Sequence, residues 1–208
     1  MKKKASIAML FIAAVSVAVA ASGSSEKAEI GKVSPNFTVN DSYGKTVSLN
    51  DYRGKFVVLE WTNKDCPFVH KHYDSGSMQS TQGKARAMGA VWFSVITSAP
   101  GEQGYLAAGE VNQYRKENKV KSNATLLDGN GTVGRIYNAR TTPQIVVINP
   151  KGVVIYNGAI DDRPSPDPDS LKGARNYALE ALNEAMNGKP VAVSTSRPYG
   201  CSVKYADE

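Results

Sequence analysis

Soft and near-neutral chemistry is scarce in this 208-residue chain, which holds only two cysteines and two histidines. So few cysteines exclude a disulfide-dense scaffold, and no Cys-x-x-Cys pair exists to act as a vicinal dithiol. Two histidines likewise exclude a histidine-rich metal centre. Internal repeats and low-complexity tracts are absent. Neither charge sign dominates, with 25 Lys and Arg against 19 Asp and Glu, so a nucleic-acid partner is not implied. The acidic stretch from Asp161 to Asp169 is interrupted by prolines and lacks the glycine and glutamate spacing of a calcium loop, and it reads as a solvated loop. No cofactor is expected.

What is there begins with Met1-Lys2-Lys3-Lys4, an apolar run to Ala20 and the small residues Ala18-Val19-Ala20. Residues 1–20 read as a secretory signal peptide and 21–29 as a polar spacer. The apolar run is too short for a stable membrane anchor. The leader takes three lysines, leaving 22 basic against 19 acidic residues and a net charge of +3. An exported chain, periplasmic where there is an outer membrane, enters a compartment in which disulfides persist. The sequons at Asn36 and Asn123 matter only where the host glycosylates exported proteins.

The two histidines, His70 and His72, lie within six residues of Cys66. The preceding run Lys55–Trp61 predicts a buried strand, and Pro67 suits the first position of a helix, so Cys66 is expected at the N-cap. There a sulfur meets the free N–H groups and positive dipole end of the helix, which favour the thiolate. The helix should break at Asp74-Ser75-Gly76 and resume over Met78–Met88. A hairpin is expected from Pro35–Val39 and Thr46–Leu49, a second buried strand over Ala90–Ile96, a helix over Tyr105–Lys119, and a strand over Ala124–Leu127 followed by a turn at Asp128–Gly131. Gln144–Ile148 and Val153–Tyr156 should pair antiparallel about Pro150-Lys151-Gly152. Ser170 could cap a last amphipathic helix bearing Leu171, Ala174, Ala178, Leu182 and Ala185 on one face.

A strand-Cys-Pro-helix unit, a second strand, a further helix, Thr141-Thr142-Pro143 before a hairpin, and a last helix resemble the thioredoxin-like fold. Gly31–Val39, Gly44–Leu59, Cys66-Pro67 and Thr141-Thr142-Pro143 resemble the redoxin branch of that superfamily, alkyl hydroperoxide reductase and thiol-specific antioxidant. The resemblance implies an α/β fold with a central mixed sheet flanked by helices and an N-terminal hairpin extension. It covers residues 30–190 as the domain, with 191–208 a tail carrying Cys201. It also implies a cis Pro143, preceded by a Thr142 whose backbone faces the reactive sulfur and pairs with incoming peptide. Two departures are plain: Val69 stands where a second cysteine of Cys-x-x-Cys would be, and Asn63 where the peroxiredoxin threonine would be.

Three readings follow. The first is a thiol oxidoreductase in which Cys66 attacks a peroxide or disulfide and Cys201 or an external thiol reductant resolves the product. His70 would stabilise or protonate the sulfur, Arg140, Lys64 and Lys71 would add positive charge, and Thr142, Pro143, Pro67 and Trp61 would line the substrate site. His72, on another face, is expected to be bland. The second is a copper or zinc protein using Cys66, His70 and either His72 or Met78. The third is a non-catalytic domain clamped by a Cys66–Cys201 disulfide, a closure contributing on the order of 4 to 5 kcal/mol in the chain-entropy model.

Overall fold

The computed structural model describes residues 26–206; the expected leader and residues 21–25 of the spacer lie outside the described residues. A hairpin of β1 (Thr38–Asn40) and β2 (Thr46–Ser48) precedes β3 (Val57–Trp61), which enters α1 (Pro67–Asp74) and α2 (Ser77–Ala87). Then come β4 (Val91–Ile96), α3 (Ala108–Glu117), β5 (Ala124–Leu127), α4 (Thr132–Ile136), β6 (Thr141–Thr142), β7 (Gln144–Ile148), β8 (Val154–Gly158), α5 (Tyr177–Met186) and β9 (Cys201–Ser202). The main sheet runs β5-β4-β3-β7-β8. β3, β4 and β5 are mutually parallel, β7 runs antiparallel to β3, and β8 runs antiparallel to β7. The expected hairpin pairs with Val39 opposite Val47.

The apolar runs of β3, β4 and β7 are buried along their whole length because both faces of the sheet are covered, as continuous rather than alternating hydrophobicity requires. One face packs Val58, Trp92, Ile145 and Val147 against Val69, Met78, Ala178 and Leu182 of the helices. The other packs Leu59, Trp61, Phe93 and Leu126 against Phe37 and Val47 of the hairpin and Val133 and Tyr137 around α4. Each such large side chain contributes ~1.5–3 kcal/mol by leaving water.

Two expectations change. The last helix starts at Tyr177, not near Ser170: the segment Pro168–Leu171 is a short 3-10 turn, Gly173 at φ +70° interrupts it, and the side chain of Asn176 caps α5 by accepting from Leu179 N at 3.0 Å. Helix α4 was not anticipated after the turn at Asp128. The Asp128 carboxylate organises it by accepting from the backbone N–H groups of Val133 and Gly134, both at 2.8 Å, and from Thr97 Oγ1 at 2.7 Å.

Glu60, in the central strand, is wholly buried beneath α1 and α2. It accepts from Tyr73 OH (2.8 Å), Gln82 Nε2 (2.9 Å) and Trp92 Nε1 (2.7 Å). Burial pushes its pKa up from 4.5 to about 6, and the surrounding donors oppose that rise. A carboxyl whose folded pKa is raised stabilises the fold below its unfolded value and loses that contribution as pH rises through the folded value. Wild-type stability relative to Glu60→Gln should therefore fall by ~2 kcal/mol between about pH 4.5 and pH 6.5, measured by urea titrations at a series of pH values.

Candidate functional site

The site is built where β3 passes into α1. Asn63 turns the chain there, its Oδ1 accepting from Asp65 N at 2.8 Å and its Nδ2 donating to Gln103 O at 3.1 Å. Cys66 occupies the N-cap with extended dihedrals (φ −87°, ψ 119°) and Pro67 follows at the first helical position, as expected. Its backbone carbonyl accepts from Val69 N and His70 N, both at 2.9 Å. The sulfur itself makes no capping bond to the first turn, contrary to the reading of the sequence. The thiol donates instead to the carbonyl of Thr142 at 3.0 Å. The Thr142–Pro143 peptide is cis, as the resemblance implied.

Thr142 also meets the tail. β9 pairs antiparallel with β6, with Thr142 opposite Cys201 and Thr141 opposite Ser202. Both cysteines are free thiols, Cys66 buried and Cys201 partly so. Burial pushes the Cys201 thiol up to about 12, helped by its hydrogen bond with Cys66 and the charge on that sulfur and opposed by Lys204. Cys201 thus keeps its proton at neutral pH.

Behind the cysteines lies a buried polar cluster that the sequence reading missed. Lys71 and Asp161 have side chains 0% and 3% exposed, with Lys71 Nζ 3.9 Å from Asp161 Oδ2. Lys71 donates to Arg163 O at 2.7 Å and to Tyr199 OH at 3.2 Å, and the Tyr199 hydroxyl donates to Asp161 Oδ1. Burial lowers the Lys71 pKa, against the pull of Asp161 and Asp162. His72 Nε2 lies 3.6 Å from Asp161 Oδ2, yet burial foremost, then the Lys71 charge, push this histidine down to about 3 and hold it neutral. The Tyr199 ring also packs on Phe68, 5.7 Å between centroids.

Of the residues singled out from sequence, Cys66, Thr142, Pro143 and Cys201 come together, and Pro67 opens the helix beside them. His70 does not take the expected place beside the sulfur: its side chain is half exposed, with Nδ1 3.4 Å from Asp74 Oδ2. Trp61 belongs to the opposite face of the sheet, where its Nε1 donates to Thr97 Oγ1 at 3.1 Å and its ring packs by Tyr137. Arg140 is exposed; its carbonyl accepts from Val203 N at 2.9 Å, and its side chain lines a cleft of about 870 Å³ with Lys27, Arg135, Glu102 and Lys204. Lys64 pairs with Asp65 at 2.6 Å. Met78 is core. Among the described residues, no three His, Cys, Asp or Glu side chains converge as metal ligands, and no helix is long and apolar enough to cross a membrane.

The thiol-disulfide oxidoreductase ResA of Bacillus thuringiensis subsp. konkukian (strain 97-27) is 40% identical over 55 residues, 23% of this chain and 32% of that protein. The chain thus matches about a third of the length of such curated relatives. A hypothetical protein of Sinorhizobium meliloti 1021 has a TM-score of 0.72 at 19% identity, covering 88% of this chain and 98% of that one. The thioredoxin domain of a thiol-disulfide oxidoreductase from Bacteroides vulgatus has a TM-score of 0.51 at 20% identity, covering 70% and 96%. These structures share the fold, a thioredoxin-like α/β sandwich. The AhpC/TSA family model matches residues 30–157, more than half of the chain and the whole stretch from the hairpin through Cys66 and cis-Pro143, and on that ground the chain belongs to the AhpC/TSA family.

Proposed function

We propose that this chain is an exported thiol oxidoreductase in which Cys66 is the nucleophile and Cys201 the resolving thiol. The observation that carries the reading is the position of Thr142, whose carbonyl receives the Cys66 thiol at 3.0 Å while its backbone pairs with Cys201. Two thiols far apart in sequence are held at one backbone position. With a disulfide substrate, the Cys66 thiolate attacks one sulfur, forms a mixed disulfide and releases the other sulfur as thiolate. With a hydroperoxide, Cys66 takes one oxygen, becomes the sulfenic acid and releases the alcohol. In either case Cys201 then attacks the Cys66 sulfur, closing a Cys66–Cys201 disulfide and expelling the substrate thiolate or water. An external thiol reductant supplies two electrons and reopens the bond.

The surroundings of Cys201 support this order of steps. While Cys66 is free, its sulfur helps to keep the proton on Cys201. Once Cys66 is covalently occupied, that part of the restraint disappears and burial alone remains, so the resolving thiol ionises more readily after the first step. The permanent-clamp alternative is less well supported, because the tail keeps its place with both thiols free, through Val203 N to Arg140 O and Ala99 N to Lys204 O, each at 2.9 Å. A leader at 1–20 and a domain over 30–190 remain part of this reading.

Cys66→Ser should lower peroxide consumption and thiol exchange at least ~100-fold, whereas Cys201→Ser should complete the first step and then accumulate sulfenic acid or mixed disulfide on Cys66, seen by intact-mass spectrometry. Equal turnover in Cys66→Ser and wild type would end the proposal. The Cys66–Cys201 bond should show a reduction potential above about −300 mV in a graded thiol redox buffer; a lower value would favour the clamp. The apparent pKa of Cys201, followed by ultraviolet thiolate absorbance, should be lower in Cys66→Ser than in wild type.

A further inference from the structure

We infer that the segment from Ser196 to Tyr205 is a strap that confines Cys66 to small substrates, hydroperoxides or low-mass disulfides, and that Tyr199 is the specificity-determining latch of this strap. The inference rests on the proposed role of Cys66 and adds the class of substrate.

The Cys66 side chain is 0% exposed, and strap residues Tyr199 and Cys201 are packed against its cluster. The open edge of β6, beside the sulfur, is already occupied by β9. A polypeptide that used this edge would have to displace the whole strand, whereas a small molecule needs only a local opening above the sulfur. Gly200 marks how closely the strap is applied. It sits at φ +131°, and a Cβ there would lie 1.9 Å from Thr142 O.

The strap is held by side-chain pins as well as by β9 and the packing of Tyr199, Cys201 and Val203 on the two cores. The Tyr199 hydroxyl bridges the buried Lys71 and Asp161, and Lys71 Nζ lies 5.0 Å from the centre of its ring. Ser196 Oγ accepts from Ala159 N at 2.9 Å. Between these pins, a cleft of about 650 Å³ lined by Thr141, Asp161, Arg197, Tyr199 and Gly200 undercuts one side, and the cleft beside Val203, Lys204 and Tyr205 opens on the other. The cluster that receives Tyr199 is itself incompletely paired, since His72 Nδ1 and Asp161 Oδ2 are buried without hydrogen-bond partners. The Tyr199 hydroxyl is the strap's hydrogen-bonding contact to this charged cluster.

The test measures access to Cys66 rather than turnover. In the full chain with Cys201→Ser, Cys66 is the only thiol, and its rates with N-ethylmaleimide and a polyethylene-glycol maleimide are compared, two reagents of the same chemistry and different bulk. The small reagent should outpace the bulky one by a much larger factor than in the urea-unfolded chain. Adding Tyr199→Phe, which keeps the ring, should raise the bulky-to-small ratio on the order of tenfold, the scale set by losing a hydrogen bond to charged partners. Gly200→Ala, which forces β9 away from Thr142, should raise it through a different contact, with far-ultraviolet circular dichroism verifying the fold. A ratio in the parent equal to that of the unfolded chain, or a ratio unmoved by both substitutions in folded protein, overturns the strap while leaving Cys66 reactive. A Cys66 inert to both reagents in every variant overturns the strap and the proposed function together.

Discussion

One backbone carbonyl organises this site. Thr142 O is where the end of β3, the start of α1, the cis-proline turn and the C-terminal strand converge, because it accepts the Cys66 thiol while its residue pairs with Cys201. Such an arrangement needs each contributor fixed independently. The sulfur is fixed by a rigid five-stranded sheet and a proline-started helix, the carbonyl by the turn into β7, and the tail by hydrogen bonds on both sides of β9. The resting geometry thus ties the Cys66 sulfur to a backbone acceptor.

Three buried carboxylates support the site in different ways. Glu60 collects donors from α1, α2 and β4 and so locks the helix that carries Cys66 onto the sheet. Asp128 receives Thr97 and the N–H groups at the start of α4, and Thr97 in turn receives Trp61, so a chain of hydrogen bonds runs from β3 to the segment leading into Thr141. Asp161 receives the tail through Tyr199. Burial raises the pKa of the first two carboxyls, and their donors answer that desolvation.

Much of the fold was legible because its strands are continuous apolar runs separated by glycine and proline turns. The Cys66 N-cap was legible from Pro67 alone. What could not be read was direction. His70 stands four residues after Cys66, a spacing that shares a face only where both residues are helical. Cys66 has extended dihedrals, so the helical period begins at Pro67, and His70 finds Asp74 one turn further on instead. Trp61 fell to strand parity: residues 57, 59 and 61 face the hairpin, while 58 and 60 face the helices that carry the site. The cluster of Lys71, His72, Asp161 and Tyr199 joins three segments remote in sequence; Lys71 was read only as a cation near Cys66, and Asp161 as part of a solvated, acidic proline-rich loop. Asp161 opens that loop but lies 3% exposed, while the prolines and aspartates after it do face solvent.

The two cysteines are separated by 135 positions, from 66 to 201, with nearly all of the domain between them. A chain made from its N-terminus therefore presents Cys66 well before the strand that covers it in the finished fold. The strands of the sheet that supports Cys66 are complete at β8, residue 158, while α5, which packs on the same face, and β9, which covers the thiol, follow it in the chain. In that interval Cys66 lacks the cover that β9 gives it in the finished fold. The last residues to be made are the ones that shut the earlier thiol away.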